Sequence, residues 1–267
     1  MSLSIEEKIR RLERLLVEYG RVAVAFSGGV DSSFLLHCAL RVLGAGNVLP
    51  LIGTGELVAG HDLEEARGWP ESNGFAGVVI EPVDLRPLLW KEFVRNTEQR
   101  CYFCKLRMYQ EFFARAHVRG FSTLLDGTNL DDLKDSRPGL QAIHELGVRT
   151  PLVEIGLSKI EIRQASRQAG LDTWDKPGGS CLATRIPHNR PISSELLQRI
   201  QYFESNLHRF GFNGCRVRLH EHDDITVYVQ VMHDDLDRII DPAIRLAVTR
   251  FFHRTGIKKI FLDLQGR

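Results

Sequence analysis

The chain has 267 residues, which is enough for one large domain or for a main domain with a smaller appendage, and we favour the second arrangement. It carries 35 Lys and Arg against 34 Asp and Glu, so its overall charge gives no reason to expect nucleic acid or an anionic membrane as a partner. No apolar run is long enough to span a bilayer, and the N-terminal residues lack the apolar core of a signal peptide, so we expect a cytoplasmic protein.

The first 150 or so residues alternate short apolar runs with segments of helical periodicity. Brief runs of Val, Ile and Leu bounded by Gly, Asn or Pro predict four buried strands, at residues 21–26, 47–53, 77–82 and 122–127. Helical patterns lie at residues 32–44, 60–74, 104–120 and 158–170. This alternation predicts an α/β fold with a mainly parallel sheet that is covered by helices on both faces.

The composition changes after the last of these helices. Residues 172–193 contain three prolines and two glycines without periodicity, which indicates a long loop of the kind that is often functional. The remaining pattern predicts an α+β unit with its own sheet, formed by helix 193–212, strands 214–220 and 225–231, helix 242–254 and strand 258–264. We therefore predict a first domain at residues 1–175 and a smaller second domain at residues 176–267.

The segment Ser-Gly-Gly-Val-Asp-Ser follows the first predicted strand and precedes the first of these helices. Glycine backbone, serine hydroxyls and a helix N-terminus together suit phosphate groups. The segment lacks the lysine of a Walker loop, and its aspartate would repel phosphate unless a divalent cation lay between them. The sequence thus predicts a pyrophosphate site that works with Mg2+, formed by Ser27, Gly28, Gly29, Asp31 and Ser32.

In this strand–loop–helix context the segment resembles the PP-loop of the ATP pyrophosphatase superfamily, over roughly residues 20–170. The resemblance implies that ATP is cleaved between its α and β phosphates and that AMP activates an oxygen of the substrate. We expect the adenine to lie near Thr54, at the end of the second strand. We expect the ribose or the metal to lie near Asp126, Gly127 and Thr128.

Three further segments indicate which family of this superfamily the chain resembles: "LLDGTNLDDLKDSRPG" at 124–139, "RCYFCK" at 100–105 and "KPGGSCLATR" at 176–185. Together they resemble the ATP-dependent sulfur transferases of nickel-pincer nucleotide biosynthesis, the LarE family, over nearly the whole chain. The resemblance implies an enzyme that adenylylates a carboxylate of pyridinium-3,5-biscarboxylic acid mononucleotide and converts it to a thiocarboxylate. The C-terminal domain would then bind this small-molecule substrate and support a homo-oligomer.

Three of the five cysteines, Cys101, Cys104 and Cys181, call for a chemical explanation. From the residues alone, three thiolates could serve a zinc ion with a fourth ligand, or a [4Fe-4S] cluster with one open iron. The family resemblance implies the second, in a branch that passes on external sulfide, because the sacrificial cysteine of the other branch would fall at Ser180. We expect Cys38 and Cys215 to pack in the core.

A basic segment between residues 185 and 220 contains six arginines and two acidic residues. Strand alternation places Arg216 and Arg218 on one face, so that both guanidinium groups can reach the same anion. The resemblance implies that these two arginines hold the phosphate of the substrate, with Thr184 and Glu204 nearby. From its position beside the cysteine pair, we predict that Lys105 neutralises phosphate charge.

Three other functions use the same loop. A tRNA thiolase would need an extended basic region or a zinc ribbon to grip RNA, and the sequence has neither. A synthetase that uses ammonia would not need the cysteines. A non-catalytic sensor of ATP or AMP with a structural metal is the third alternative.

Overall fold

A computed structural model describes residues 3–58, 60–134 and 138–267 of the chain; residues 135–137, which include Arg137 of the 124–139 motif, lie outside the described residues. The helices are α1 Ile5–Tyr19, α2 Val30–Leu43, α3 Gly60–Ser72, α4 Lys91–Val94, α5 Arg100–Val118, α6 Pro138–Glu145, α7 Pro151–Glu154, α8 Lys159–Gln168, α9 Ser194–Arg209, α10 Leu236–Ile240 and α11 Pro242–Arg254. The strands are β1 Val22–Ala25, β2 Val48–Thr54, β3 Glu81–Asp84, β4 Thr123–Asp126, β5 Arg216–Leu219, β6 Thr226–Gln230 and β7 Lys259–Leu262.

Strands β1 to β4 form a parallel sheet in the order β3-β2-β1-β4. Residue Ala25 at the end of β1 pairs with Leu51 of β2 on one side and with Asp126 of β4 on the other. The loops that follow β1 and β4 therefore begin side by side at the carboxyl edge of the sheet, which is where parallel sheets bind ligands. The predicted α/β fold class is confirmed.

Helices cover both faces of this sheet, as the run of buried residues in β1 requires. One face packs on an apolar cluster that includes Leu12, Leu36 and Ile162, which come from α1, α2 and α8. The other face packs on a cluster that includes Tyr109 and Phe112 of α5. Both clusters remove large apolar surfaces from water, and this burial is the main stabilising contribution to the sheet.

One strand differs from the expectation, and the N-terminal helix was not predicted. The third strand begins at Glu81, because Leu51 of β2 pairs with Glu81, whereas the apolar run predicted a strand at 77–82. Ile80 is buried ahead of the strand and Val79 is exposed, so the run supplies packing but few ladder hydrogen bonds. The N-terminal segment forms α1, which begins at a capping box between Ser4 and Glu7.

Strands β5 to β7 form the second sheet, in which β5 and β6 are antiparallel and β6 and β7 are parallel. The chain forms two compact units: the first contains residues 3–55, 60–86, 101–134 and 138–176, and the second contains residues 56–58, 87–100 and 177–267. Residues 87–100 belong to the second unit although they precede the boundary that we predicted at residue 175. In the described part of the chain, no helix is both long and apolar enough to cross a membrane.

A buried asparagine joins two distant segments of the second unit. Asn96 is fully buried, and its side-chain amide donates to the carbonyl oxygens of Pro187 at 2.7 Å and Arg190 at 2.8 Å. Its carbonyl oxygen accepts a hydrogen bond from Arg100. Its φ of 55° lies in the left-handed region that asparagine tolerates better than most residues.

We expect Asn96→Ala to lower the free energy of unfolding by roughly 3 kcal/mol, because it leaves buried polar groups without partners. Urea denaturation of the whole chain followed by circular dichroism measures the change. Asn206→Ala is the matched control, since the Asn206 side chain donates one exposed hydrogen bond within α9, to the Tyr202 carbonyl oxygen. Equal midpoints for the two variants would contradict the role of Asn96.

Candidate functional site

The loop that follows β1 is shaped by a glycine that no other residue could replace without strain. Gly28 has a φ of +69°, and a Cβ at this position would lie 3.0 Å from the Cβ of Ala66 in α3. The adjacent Gly29 is the N-cap residue of α2. The missing side chain at Gly28 therefore lets the loop pack directly against Ala66 of α3.

Two serine hydroxyls hold the loop in this shape. The Ser27 amide donates to Ser32 Oγ at 3.1 Å, and Ser32 Oγ donates to the Gly29 carbonyl oxygen at 3.2 Å. The Ser27 and Ser32 hydroxyl oxygens lie 3.0 Å apart. Ser32 is buried and serves the loop itself, whereas Ser27 is exposed and its hydroxyl can reach a ligand.

The N-terminus of α2 points into this loop. Among the residues that the structure describes, no side chain caps this terminus. The first amide groups of a helix lack intrahelical acceptors and carry about half a positive charge. Such an uncapped terminus above a glycine loop is a ready site for a phosphate group.

The loop that follows β4 lies directly against the start of α2. A Cβ on Gly127 would lie 2.9 Å from the Ser32 amide nitrogen and 3.0 Å from the Ser32 Cα. Only glycine allows this approach, because the obstructing atoms belong to the backbone. The structure thus brings the predicted Gly127 and Ser32 together.

Asp126 is the centre of a buried polar cluster at the end of β4. Its carboxylate accepts hydrogen bonds from the Thr128 amide at 2.7 Å, from the Thr128 hydroxyl and from the Tyr109 hydroxyl, and it lies 3.7 Å from Lys105 Nζ. Burial favours the neutral form, but Lys105 and these hydrogen bonds outweigh it and hold the pKa of Asp126 below its ordinary value. Burial and the neighbouring carboxylate raise the pKa of Tyr109 well above its ordinary value. The cluster therefore pairs an ionised carboxylate with a lysine at the sheet edge.

Asp31, on the first turn of α2, has one paired and one unpaired oxygen. Its Oδ2 forms an ion pair with Lys159 Nζ, whereas in the described chain no donor meets hydrogen-bond geometry at the buried Oδ1. Burial raises the pKa of Asp31, while Lys159 opposes that rise and the nearby Asn129 amide also lowers the pKa. A buried oxygen with an open coordination position fits a divalent cation, so the residues present suit Mg2+ bound with phosphate.

Thr54 ends β2 at the same carboxyl edge. Its hydroxyl donates to the Val83 carbonyl oxygen of β3 at 3.2 Å, so the side chain is engaged in strand pairing. A Cβ at its neighbour Gly53 would lie 2.6 Å from Leu85 Cδ1, so a larger residue there would require the Leu85 side chain to move. The structure places this segment at the predicted sheet edge, and contact with an adenine ring stays a prediction.

In the second unit, Arg185 organises the loop at residues 178–185. It forms a buried bidentate ion pair with Glu204, with distances of 2.8 and 3.1 Å. It also donates to the Ser180 carbonyl oxygen at 2.9 Å and to Thr184 Oγ1 at 3.0 Å. Glu204 and Thr184, both predicted to lie near substrate, are therefore tied to each other through a residue that the site prediction did not include.

The predicted arginine pair lies beside this loop. Arg216 donates to the Gly178 carbonyl oxygen at 3.0 Å, and Arg218 donates to the Thr184 carbonyl oxygen at 2.9 Å. Arg267, which the sequence analysis did not assign, donates to the same Gly178 oxygen at 2.7 Å. Sequence patterns give no signal for Arg267, because its position depends on the path of the chain after β7.

These guanidinium groups form a cluster with excess positive charge. Burial lowers the pKa of Arg216 to about 10, and repulsion by Arg267, Arg185 and Arg218 adds to that effect, against the opposing Glu204 carboxylate. Within the described residues, Nε of Arg216 is buried and has no hydrogen-bond acceptor. An unsatisfied buried donor among like charges is the local condition that a bound anion would relieve.

The predicted cysteine ligands fall in both units. Cys101 and Cys104 lie three residues apart on α5, a spacing that places two side chains on one helix face, and both are half-buried. Cys181 belongs to the second unit. Among the described residues, no three His, Cys, Asp or Glu side chains are grouped to hold a metal, so the arrangement does not present a complete ligand set.

The other two cysteines lie in the core. Cys38 packs on the α2 side of the main sheet, and Cys215 lies beside Glu204, whose carbonyl oxygen it contacts at 3.8 Å. Burial raises the pKa of each thiol to about 12. Both thiols are therefore protonated at neutral pH and act as small apolar side chains.

No protein-family model matches the chain. It is 33% identical over 262 residues to the uncharacterized protein slr1717 of Synechocystis sp., which covers 98% of this chain and 95% of that protein. It is 29% identical over 271 residues to the pyridinium-3,5-bisthiocarboxylic acid mononucleotide synthase of Lactiplantibacillus plantarum, with 98% and 92% covered. It is 27% identical over 248 residues to the uncharacterized protein MJ0830 of Methanocaldococcus jannaschii, with 92% and 90% covered. These matches run through both units, and the chain therefore belongs to the LarE family, the family of this synthase.

Proposed function

We propose that the chain is an ATP-dependent, AMP-forming sulfur transferase that converts a carboxylate of pyridinium-3,5-biscarboxylic acid mononucleotide into a thiocarboxylate. The observation that carries the proposal is the match over 98% of the chain to a synthase named for the bisthiocarboxylic acid product. The phosphate-binding geometry of the first unit and the arginine cluster of the second support it independently. The homo-oligomer and the cytoplasmic location expected from the sequence stay predictions.

ATP would bind at the loop that follows β1. The uncapped α2 terminus would supply positive partial charge, and the exposed Ser27 hydroxyl would supply a hydrogen-bond donor. Asp31 would hold Mg2+, which would neutralise phosphate charge. Lys105, held beside Asp126, would add a second fixed positive charge at the same sheet edge.

The chemistry needs an activated carboxylate, because oxide is a very poor leaving group. In the first step a carboxylate oxygen of the substrate attacks the α-phosphorus, and the bond from that phosphorus to the β-phosphate bridging oxygen breaks, so pyrophosphate leaves. In the second step the sulfur of a sulfide donor attacks the acyl carbon. The carbon–oxygen bond to AMP then breaks, which leaves a thiocarboxylate and free AMP.

The substrate phosphate would bind at the arginine cluster of the second unit. Arg216 carries the unsatisfied buried Nε, and Arg218 projects from the same face of β5, since their cross-strand partners Gln230 and Tyr228 are two residues apart. Arg185 and Glu204 would fix the loop that surrounds the phosphate. In this proposal Thr184 and Glu204 shape the site while the arginines hold the anion.

We further propose that Cys101, Cys104 and Cys181 hold a [4Fe-4S] cluster. A cluster bound by three cysteines leaves one iron position open, which is where an external sulfide could bind. The pair on α5 supports two of the three ligands. The third, Cys181, lies within the loop that Arg185 organises, where Arg185 donates to its carbonyl oxygen at 3.2 Å.

Incubation with Mg-ATP, sulfide and pyridinium-3,5-biscarboxylic acid mononucleotide is expected to release pyrophosphate and AMP in equal amounts. Mass spectrometry of the mononucleotide product should show that one carboxylate oxygen is replaced by sulfur. Transfer RNA and ammonia are the matched alternatives, and neither should support AMP formation. Release of ADP, or AMP formation with transfer RNA alone, would refute the proposed function.

Arg216→Ala is expected to raise the KM for the mononucleotide by at least about tenfold, because it removes a phosphate contact that substrate and transition state share. Initial rates of pyrophosphate release measure the change. Arg209→Ala is the control, since Arg209 belongs to the same basic segment but lies exposed on α9. An unchanged KM for Arg216→Ala would contradict the assignment.

Protein purified without oxygen is expected to be brown and to contain about four irons per chain. Cys104→Ala should lose the iron while it retains ATP binding, and Cys38→Ala should keep the iron, because Cys38 is buried in the core. Metal analysis and an anaerobic visible spectrum provide the measurements. Colourless protein with one zinc per chain would rule out the cluster.

A further inference from the structure

The phosphate-binding loop contains a carboxylate but no basic side chain of its own. Residues 26–33 read Phe-Ser-Gly-Gly-Val-Asp-Ser-Ser. A triphosphate carries several negative charges, whereas a helix N-terminus offers about half a positive charge. A polyphosphate at this loop would therefore need positive charge from elsewhere in the chain in addition to its metal.

Lys159 delivers such a charge from a different helix. It is the first residue of α8, and its Nζ pairs with Asp31 across 128 residues of sequence. Its backbone amide donates to Asp131 Oδ2 at 2.6 Å. The backbone of Lys159 is thus fixed beside the loop that follows β4, while its ammonium group lies at the start of α2.

The bonding of Lys159 leaves hydrogen-bond donors available. In the described part of the chain, Lys159 Nζ has one acceptor, Asp31 Oδ2, although an ammonium group carries three donors. Lys8, a lysine that also pairs with α8, places its ammonium on three acceptors: the Gly156 carbonyl oxygen at 2.7 Å and the two Glu161 carboxylate oxygens at 2.6 and 2.8 Å. Lys8 is saturated as a structural lysine would be, and Lys159 is not.

The Asp31–Lys159 pair is also open to solvent. The Lys159 side chain is 31% exposed and the Asp31 side chain 22% exposed, so a ligand can reach both. A partly exposed ion pair is screened by water and contributes little to stability. Its position at the phosphate loop is therefore better explained by a ligand than by the fold.

We propose that Lys159 is the phosphate-binding lysine of this site and supplies from α8 the charge that a Walker loop carries within its own sequence. In the free protein it neutralises Asp31. In the ligand-bound protein Lys159 would contact the phosphates that leave as pyrophosphate, and Asp31 would hold the Mg2+ that accompanies them. The inference rests on the proposed ATP-dependent function and assigns a further binding residue to the same loop.

The test measures binding of inorganic pyrophosphate in the presence of Mg2+ by isothermal titration calorimetry, on the whole chain. Lys159→Gln keeps a hydrogen-bond donor for Asp31 but removes the charge, and we expect its Kd to be at least about tenfold higher than that of the unaltered chain. Lys159→Arg retains the charge and should keep most of the affinity. Lys8→Ala is the matched control, because it breaks an ion pair with α8 away from the loop.

The possible outcomes distinguish a wrong role for Lys159 from a wrong proposed function. If the unaltered chain binds pyrophosphate and Lys159→Gln binds it equally well, the role of Lys159 is wrong and the proposed function stands. If the unaltered chain binds neither pyrophosphate nor ATP, the proposed function is wrong, and the inference about Lys159 is overturned with it. If Lys8→Ala weakens pyrophosphate binding as much as Lys159→Gln does, the effect is one of α8 packing, and the inference is overturned. If Lys159→Gln fails to fold, the Kd of Lys159→Met for pyrophosphate is compared with that of the unaltered chain instead.

Discussion

The parallel pairing of β1 with β4 is the constraint on which the phosphate-binding region depends. It sets Ala25 beside Asp126, so the loops that leave these two strands share one edge of the sheet. Gly127 then lets the second loop touch the backbone of Ser32, where any side chain would collide. Backbone atoms make this contact, and the Ser27 and Ser32 hydroxyls hold the rest of the nest at the start of α2.

The two units differ in the balance of their positive and negative charges. In the first unit the carboxylates of Asp31 and Asp126 are each paired with a lysine at the sheet edge, so their charges are nearly balanced. In the second unit several guanidinium groups lie around the single carboxylate of Glu204, which offsets only part of their mutual repulsion. A metal-bound polyphosphate suits the first arrangement, and a bare phosphomonoester suits the second.

Local sequence patterns predicted the elements that local physics determines. The glycine loop, the alternation that puts Arg216 and Arg218 on one face, and helix α11 could all be read from neighbours in sequence. The capping box of α1 is likewise formed by neighbouring residues, although helix α1 was not predicted. The contacts that sequence reasoning missed, made by Lys159, Arg185 and Arg267, join residues far apart in the chain, and no periodicity encodes which residues meet across such distances.

The second unit is discontinuous in sequence, and this affects how the chain must be made. Asn96 and its partner Arg190 are separated by 94 residues, so the segment at 87–100 leaves the ribosome long before the carbonyl groups that will accept its hydrogen bonds. At a synthesis rate of about 5–20 residues per second, that segment waits for roughly 5 to 20 s. The second unit therefore cannot complete this set of hydrogen bonds until residue 190 has been synthesised.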